Sequence, residues 1–179
     1  MEDRSGIDLT FGRALRLIRD RSKAGQLTSW PQIEEELAGE GLLELQVEGA
    51  AGEWEDQLKR RMREQEDVEE IPGPDGLPRY FCSTYLTGAY ATMLIERQRD
   101  PLALLVQTVR ENSLLYPRPV PLHLFHNPPF GMSPEEIQRC LREMKDLESY
   151  QDIAQTTTSI DSVFLYSVAF VNWCNFQSP

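Results

Sequence analysis

The alternation of apolar and polar positions is clearest in residues 133–167, where it predicts a helix followed by a β-hairpin. Ser133 and Glu136 have the spacing of a capping box, which marks the start of a helix. Apolar residues then recur at the spacing of one helix face, namely at Ile137, Leu141 and Met144. After Tyr150, short runs rich in Thr, Ile, Val and Phe are typical of paired strands. A helix followed by a hairpin is the order found in the second half of a winged helix.

The same order of elements is predicted for the amino-terminal half of the chain. Apolar periodicity predicts helices over residues 10–23 and 53–66, with a shorter one between them that ends near Gly39. Residues 68–71 and 79–83 then have strand-like sequences. The segment between these two strands, PGPDGLP, is rich in turn-forming residues and suits the tip of a wing.

Two segments of the chain resemble each other. LKRRMREQEDVEEI, which begins at Leu58, matches IQRCLREMKDLESY, which begins at Ile137, with a constant offset through the helix. The strand RYFCS (79–83) then matches VFLYS (163–167), with a few extra residues in the second hairpin. This repetition predicts two units of similar architecture in one chain.

We therefore predict a mostly α protein with small β-hairpins, of the α+β class, built as tandem winged-helix-like domains joined by a linker helix. The predicted boundaries are 1–84 for the first domain, 85–99 for the linker helix, 100–168 for the second domain and 169–179 for an apolar tail.

Composition places the chain among ordinary globular proteins and argues against a strongly basic nucleic-acid binder. The net charge of −11 opposes binding to phosphate backbones. The amino terminus lacks the apolar core of a signal peptide, and no apolar run has the length of a membrane span. The cysteines Cys82, Cys140 and Cys174 are widely spaced, which does not suggest a disulfide framework. We expect a cytoplasmic location without a membrane span.

The basic residues on the two predicted hairpin-preceding helices are the strongest candidates for contact with DNA or with a protein partner. They are Lys59, Arg60, Arg61 and Arg63 on the first of these helices and Arg139 and Arg142 on its repeat. In a winged-helix protein this helix enters a DNA groove. Acidic residues surround both basic clusters, however, so a solvated face with ion pairs is the favoured explanation of both, and contact with DNA is the less favoured one.

No residue set in the sequence specifies a reaction, a cofactor or a metal. His123 and His126 are three residues apart on a proline-bordered segment and have no acid or cysteine nearby to complete a ligand set. Cys140 lies on an apolar helix face, so a buried, unreactive thiol is expected. Glycine-rich phosphate-binding loops are absent from the sequence. We expect no catalytic residues, cofactor or bound metal.

A docking surface for protein is predicted in the proline-rich and aromatic part of the second half. Its candidate residues are Tyr116, Pro119, Phe125, Phe130 and Trp173. The tail that contains Trp173 is too apolar to remain in water, so it is expected to pack on a domain, on another subunit or on a partner, and packing within the chain is the favoured of these.

Three segments of the second half resemble the YdhW-like family of small bacterial proteins. They are RENSLLYPRPVPL (110–122), SPEEI (133–137) and TTTSIDSVFLYS (156–167). The resemblance covers residues 77–167 and leaves out the tail. YdhW-like proteins are encoded beside ferredoxin-type oxidoreductase subunits, so the resemblance implies an accessory role in anaerobic redox metabolism. It brings no catalytic residues.

Three functional classes follow from these observations. The favoured one is a non-catalytic protein–protein interaction or assembly protein, accessory to an oxidoreductase system, with oxidoreductase subunits as partners and a homodimer as an open alternative. The second is a winged-helix DNA-binding transcriptional regulator. The third is an enzyme or redox partner with a site at the domain junction.

Overall fold

The structure, a computed structural model, describes residues 3–43, 53–116, 118–158 and 162–170. Within these residues the chain forms six α-helices and two three-stranded antiparallel sheets. The predicted α+β class is therefore confirmed. The chain divides into two compact units, residues 1–95 and 96–179, with the division inside the fourth helix rather than at either end of it.

The first unit contains three helices, a three-stranded sheet and most of a fourth helix. Its elements are α1 (Asp3–Lys23), β1 (Thr28–Ser29), α2 (Trp30–Gly39), α3 (Glu53–Arg63), β2 (Val68–Pro72), β3 (Pro78–Cys82) and α4 (Gly88–Arg99). The sheet order is β1-β3-β2, so the hairpin β2–β3 is joined at one edge by the short strand between the first two helices. The predicted order of helix, helix, helix and hairpin is present.

The core of the first unit lies between the helices and the inner face of the sheet. Fully buried residues come from every one of these elements, for example Ile18, Ile33, Leu58, Met62 and Tyr80. Because Leu58 and Met62 are four residues apart, they share the face of α3 that packs inward. The helical periodicity seen in the sequence is therefore the periodicity of burial.

A second apolar cluster covers the other face of the same sheet. Leu27 and Phe81 are buried there beneath α4, which contributes Ala91 and Ile95. Side chains alternate between the two faces of a strand, so Phe81 points away from the core that holds Tyr80. We call the side of the sheet that carries Phe81 the outer face.

The second unit repeats this order with a shorter second helix. Its elements are α5 (Pro101–Leu115), β4 (Val120–Pro121), a 3₁₀ helix (Leu122–His126), α6 (Pro134–Asp146), a 3₁₀ turn (Glu148–Tyr150), β5 (Ile153–Thr157) and β6 (Val163–Ser167). The sheet order β4-β6-β5 is the counterpart of β1-β3-β2. The capping box predicted at Ser133 is present, since its Oγ accepts from the Glu136 amide at 3.1 Å and Glu136 accepts from the Ser133 amide at 2.8 Å.

Two residues predicted to lie on a docking surface belong instead to the core of the second unit. Phe125 has no exposed surface and Phe130 is 5% exposed, and their rings meet edge to face with centroids 5.0 Å apart. Residues Leu122–His126 form a 3₁₀ helix, which turns Phe125 inward. The Met132 amide donates to the Phe125 carbonyl at 2.8 Å and closes the loop over both rings. The docking prediction is wrong for these two residues.

None of the helices in the described part of the chain has the combination of length and hydropathy that crossing a membrane requires.

Candidate interaction surfaces

The basic residues of α3 are mostly engaged by acidic and aromatic neighbours from their own unit. Lys59 forms an ion pair with Glu55 and lies 4.3 Å from the centroid of the Trp30 ring. The guanidinium of Arg61 lies 2.7 Å from Asp8 and stacks over Phe11. These two cations are therefore held close to the unit's own surface.

The remaining two basic residues of α3 are more exposed. Arg63 Nε donates to a carboxylate oxygen of Glu70 at 3.2 Å, which ties the end of α3 to strand β2. Arg60 is exposed and has no ion-pair partner among the described residues. At the tip of the wing, Arg79 pairs with Asp75 at 2.9 Å, and this hydrogen bond holds the pKa of Asp75 below its usual range. A phosphate backbone approaching α3 would meet one unpaired cation among several carboxylates.

The corresponding helix of the second unit, α6, has the same mixed character. Arg139 approaches Glu143 at 3.9 Å across one helical turn, whereas Arg142 is exposed and has no ion-pair partner among the described residues. Isolated pairs of this kind contribute little to stability. Their effect is to lower the net positive charge that either helix presents.

A clamp of four residues joins the first helix of the first unit to its hairpin. The guanidinium of Arg19 donates from Nε and Nη2 to both carboxylate oxygens of Asp67, at 3.0 and 3.1 Å. Cys82 Sγ lies 3.4 Å from Asp67 Oδ2, and the Cys82 amide donates to Ser22 Oγ at 2.9 Å. The set fixes the end of β3 to both the helix and the start of β2.

The second unit has the same clamp at equivalent positions. Arg110 donates to both carboxylate oxygens of Asp152, at 3.0 and 2.5 Å. Ser167 Oγ donates to Asp152 Oδ2 at 2.6 Å, and the Ser167 amide donates to Ser113 Oγ at 3.0 Å. In each unit the serine follows the arginine by three residues, and the aspartate directly precedes the first strand of the hairpin. We call these two sets the Arg–Asp clamps.

The clamps hold both aspartates in their ionised form. Burial alone would raise the pKa of Asp67, but the hydrogen bonds from Arg19 and Cys82 outweigh it and keep the pKa below its usual value. For Asp152 the hydrogen bond from Arg110 is the largest influence, and the pKa is again lowered.

The clamps also correct the register of the internal repeat. Cys82 and Ser167 occupy the same place, whereas the sequence comparison matched Ser83 with Ser167. Because side chains alternate along a strand, a shift of one residue exchanges the two faces of the sheet. The signal that identifies the correct register is a repeated sequence, RDRS (19–22) and RENS (110–113). In each, an acid follows the arginine directly and a serine is the third residue after it.

Exposed apolar side chains gather where α5 ends and β6 ends. They are Leu114, Leu115, Tyr116, Val168 and Phe170, and we call this set the apolar end. Leu114 and Leu115 are 64% and 69% exposed. The hydrogen bond between Ser113 and Ser167 brings the two chain segments together. Tyr116, predicted as part of a docking surface, is in this set, whereas Pro119 is half-buried.

The same end of the first unit is polar and partly covered. Lys23 occupies the place of Leu114, and its ammonium group lies 5.0 Å from the centroid of the Tyr85 ring. Gly25, with a φ of 72°, ends the helix, and a β-carbon there would lie 3.2 Å from the hydroxyl oxygen of Tyr90 in α4. The first unit therefore closes with α4 the end that the second unit leaves exposed.

His126 and Cys140, two further residues considered in the sequence analysis, have environments that account for them structurally. His126 Nδ1 lies 3.0 Å from the Met132 carbonyl oxygen, so the backbone orients this ring. Burial raises the pKa of the Cys140 thiol, which disfavours the reactive thiolate. In the described ranges no three His, Cys, Asp or Glu side chains are grouped as a metal ion would require. Trp173, the remaining docking candidate, and Cys174 lie outside the described residues.

The fold and the repeated clamps define an α+β protein made of two similar helix-and-hairpin units. Residues 99–175 match the family model of the YdhW C-terminal domain, so this part of the chain is similar to that domain. The predicted resemblance is thus confirmed for the second unit. Its range is corrected, because the match begins at Arg99 rather than Leu77 and continues into the tail as far as residue 175. Comparisons with curated proteins and with solved structures each give no match.

Proposed function

We propose that this chain is a non-catalytic protein-interaction protein, an assembly or accessory component of an oxidoreductase system, in which both units are winged helices adapted to protein contact. The observation that carries the proposal is the apolar end, which exposes Leu114, Leu115 and Tyr116 beside Val168 and Phe170. Clustered exposed apolar residues are typical of surfaces that bind protein. The YdhW-like resemblance supplies the oxidoreductase context.

The charge distribution supports contact with protein over contact with DNA. Lys59, Arg61 and Arg63 are each within ion-pair distance of a carboxylate from their own unit. A DNA-binding helix would have to break these pairs before neutralising phosphates, and the chain carries a net charge of −11. The paired cations of α3 therefore suit a surface that contacts protein better than one that contacts DNA.

The proposal is tested by purifying the tagged full-length chain from its source cell and identifying the co-purifying proteins by mass spectrometry. We expect oxidoreductase subunits in amounts comparable to the tagged chain. Recovery of the tagged chain alone would contradict the proposal.

The DNA-binding alternative rests on Arg60 and Arg142, the two exposed arginines that have no ion-pair partner among the described residues of their units. It predicts a salt-sensitive electrophoretic shift of duplex DNA that decreases when Arg60 and Arg142 are replaced by glutamine. We expect no shift at low salt. A shift that both substitutions weaken would favour a transcriptional regulator instead.

A further inference from the structure

In both sheets the first strand of the hairpin lies at an edge, β2 in the first unit and β5 in the second. The backbone groups of alternate residues in such a strand point toward the neighbouring strand and away from it. The Asp152 carbonyl accepts from the Val168 amide at 2.8 Å, and the Thr158 amide donates to the Ser162 carbonyl at 3.0 Å. The hydrogen-bonded pairs with β6 therefore fall on even-numbered residues of β5. The residues of β5 whose amides and carbonyls point away from β6 are Ile153, Gln155 and Thr157.

This outward edge of β5 is open to solvent. Gln155, Thr156 and Thr157 are all exposed, so neither face of the strand is covered at these positions. Within the described ranges, the outward-pointing backbone groups of Ile153, Gln155 and Thr157 have no hydrogen-bond partner. A strand edge of this kind is a template for pairing with another strand.

The edge of the first sheet has the same geometry but is protected against such pairing. The Asp67 carbonyl accepts from the Ser83 amide at 2.9 Å, so Val68, Glu70 and Pro72 are the residues that point outward. Pro72 has no amide to donate, and Glu70 places a carboxylate beside the exposed edge. Charged residues and proline are the usual means by which edge strands avoid pairing with other chains.

The second unit lacks both of these protective features. Because Asp67 and Asp152 are equivalent members of the two clamps, Gln155 occupies the place of Glu70, and Thr157 occupies the place of Pro72. The strand Ile153–Thr157 contains no charged residue and no proline. Its edge therefore keeps all of its outward-pointing donors and acceptors.

The sequence of β5 is also complementary to itself. If two copies pair antiparallel about Gln155, this residue faces its own equivalent, and Ile153 faces Thr157 of the other copy. All of these residues point outward, so each facing pair can exchange two backbone hydrogen bonds. The same arrangement of β2 would place Glu70 opposite Glu70, and like charges directly opposite each other are destabilising.

The charge of the chain favours this edge as the place where two copies meet. Each copy carries a net charge of −11, so contact between copies requires a surface without opposed carboxylates. Residues 153–158 contain no acid, and the preceding Asp152 is already paired with Arg110. Backbone pairing along β5 therefore joins two acidic chains without bringing unpaired carboxylates of this strand together.

We infer that the chain forms a symmetric homodimer in which two copies of β5 pair antiparallel about Gln155 and join the two second-unit sheets into one. This inference goes beyond the proposed function, since it does not require an oxidoreductase partner. An interface built on one short strand from each copy is typical of a weak dimer that depends on protein concentration.

Sedimentation velocity of the full-length chain at about 1 to 200 µM tests the inference, because a weak dimer dissociates within such a range. The test variant Gln155→Glu/Thr157→Pro gives β5 the edge residues of β2. Thr157→Pro removes no hydrogen bond to β6, since the Thr157 amide points outward. The control is Gln138→Glu, which adds the same charge at an exposed position of α6.

We expect the wild-type chain and the control to shift from monomer to dimer as the concentration rises. The double variant, shown by circular dichroism to be folded, should have a dimer dissociation constant at least about tenfold higher. A wild-type chain that remains monomeric at every concentration would overturn the inference, as would a dimer that the double variant leaves unchanged.

Oxidative crosslinking tests the predicted register. In a Cys174→Ser background, Gln155→Cys should form a disulfide between two copies, because facing residues of a hydrogen-bonded pair have Cα atoms about 5.5 Å apart. Gln138→Cys in the same background should give no such product. Equal crosslinking at both positions would contradict pairing through β5. If oxidoreductase subunits co-purify with a chain that does not dimerise, this inference fails and the proposed function stands.

Discussion

The two units share the Arg–Asp clamp but differ in how they treat the surface beside it. In the first unit, α4 buries the outer face of the sheet and reaches the end of α1 through Tyr90. In the second, the corresponding surface exposes Leu114 and Leu115. The clamp is therefore a device of the fold, because both units need it. The surface beside the clamp is where the units have diverged, so it is the place to look for function.

The clamp is repeated because it solves one problem in both units. The aspartate directly before the hairpin accepts side-chain hydrogen bonds from the helix, and its carbonyl accepts from the residue after the last strand, at 2.9 Å for Asp67 and 2.8 Å for Asp152. A single residue thus joins the helix and both strands. Burial of the serine on the helix completes the connection, since Ser22 and Ser113 are almost fully buried.

The largest expected effect is in the core of the second unit. Phe125→Ala should destabilise that unit by about 3–5 kcal/mol, because it removes a fully buried ring and leaves a cavity. Native-state hydrogen exchange of α5 and α6 amides measures this loss. Tyr116→Ala is the control and should change the opening free energy by less than about 0.5 kcal/mol. Equal effects of the two substitutions would indicate that Phe125 is not part of the core.

The next largest effect compares the clamps themselves. Asp67→Asn and Asp152→Asn should each destabilise their own unit by about 1–3 kcal/mol, since each leaves an arginine without its charged partner. Asp152→Asn should have the larger effect, because the Ser167 hydroxyl donates to it at 2.6 Å whereas the Cys82 thiol lies at 3.4 Å from Asp67. Glu66→Gln, an exposed carboxylate next to Asp67, serves as the control in hydrogen exchange. A negligible effect at either aspartate would show that its clamp is not structural.

Lowering the pH should remove the stability that Asp67 and Asp152 contribute. Both aspartates have a pKa below the ordinary value of 3.8 when folded, so the stability that they provide is fully present above about pH 5. It is lost as the pH falls through 3.8 and then through the lower pKa of the folded state. The free energies of urea unfolding of the wild-type chain and of the Asp67→Asn/Asp152→Asn variant should therefore differ at pH 7, and the difference should shrink as the pH falls below 3.8. A constant difference across this range would contradict the lowered pKa values.

The smallest effect distinguishes the last member of each clamp. Ser167→Cys replaces a short hydroxyl donor by a weak thiol donor and should destabilise the second unit by about 1 kcal/mol. Cys82→Ser should destabilise the first unit by less, because the serine hydroxyl can still donate to Asp67. Only a small apolar contact is lost. Hydrogen exchange of the β3 and β6 amides gives both values. The opposite order would mean that the thiol is the better partner.

Local patterns in the sequence predicted the helices and their caps. Contacts between residues far apart in the sequence were predicted only in part. Ser133 and Glu136 identified the start of α6 because a capping box involves only neighbouring residues. The 3₁₀ helix at Leu122–His126 was missed, since the flanking prolines favour extended backbone. The pairing of Arg19 with Asp67 spans 48 residues and has no periodicity, so only the repetition of the arginine–acid–x–serine sequence could have revealed it.

The surface candidates show the same limit. Tyr116 and Phe125 both looked like docking residues because both lie in an aromatic, proline-rich segment. Tyr116 follows the last turn of α5 and is exposed, whereas Phe125 turns into the core against Phe130. Exposure depends on tertiary packing, which composition does not report. The apolar end itself combines residues from α5 and from the chain after β6, and only the fold brings them together.

The central claim is that the second unit, rather than the first, binds the partner. The most direct measurement is the amount of oxidoreductase subunit that co-purifies with the wild-type chain, with Leu115→Asp and with Leu77→Asp, each first shown to be folded by circular dichroism. We predict that Leu115→Asp reduces the recovered partner by about tenfold, because a carboxylate would be buried in an apolar interface. Leu77→Asp should leave it unchanged. Equal recovery with all three chains would contradict the claim.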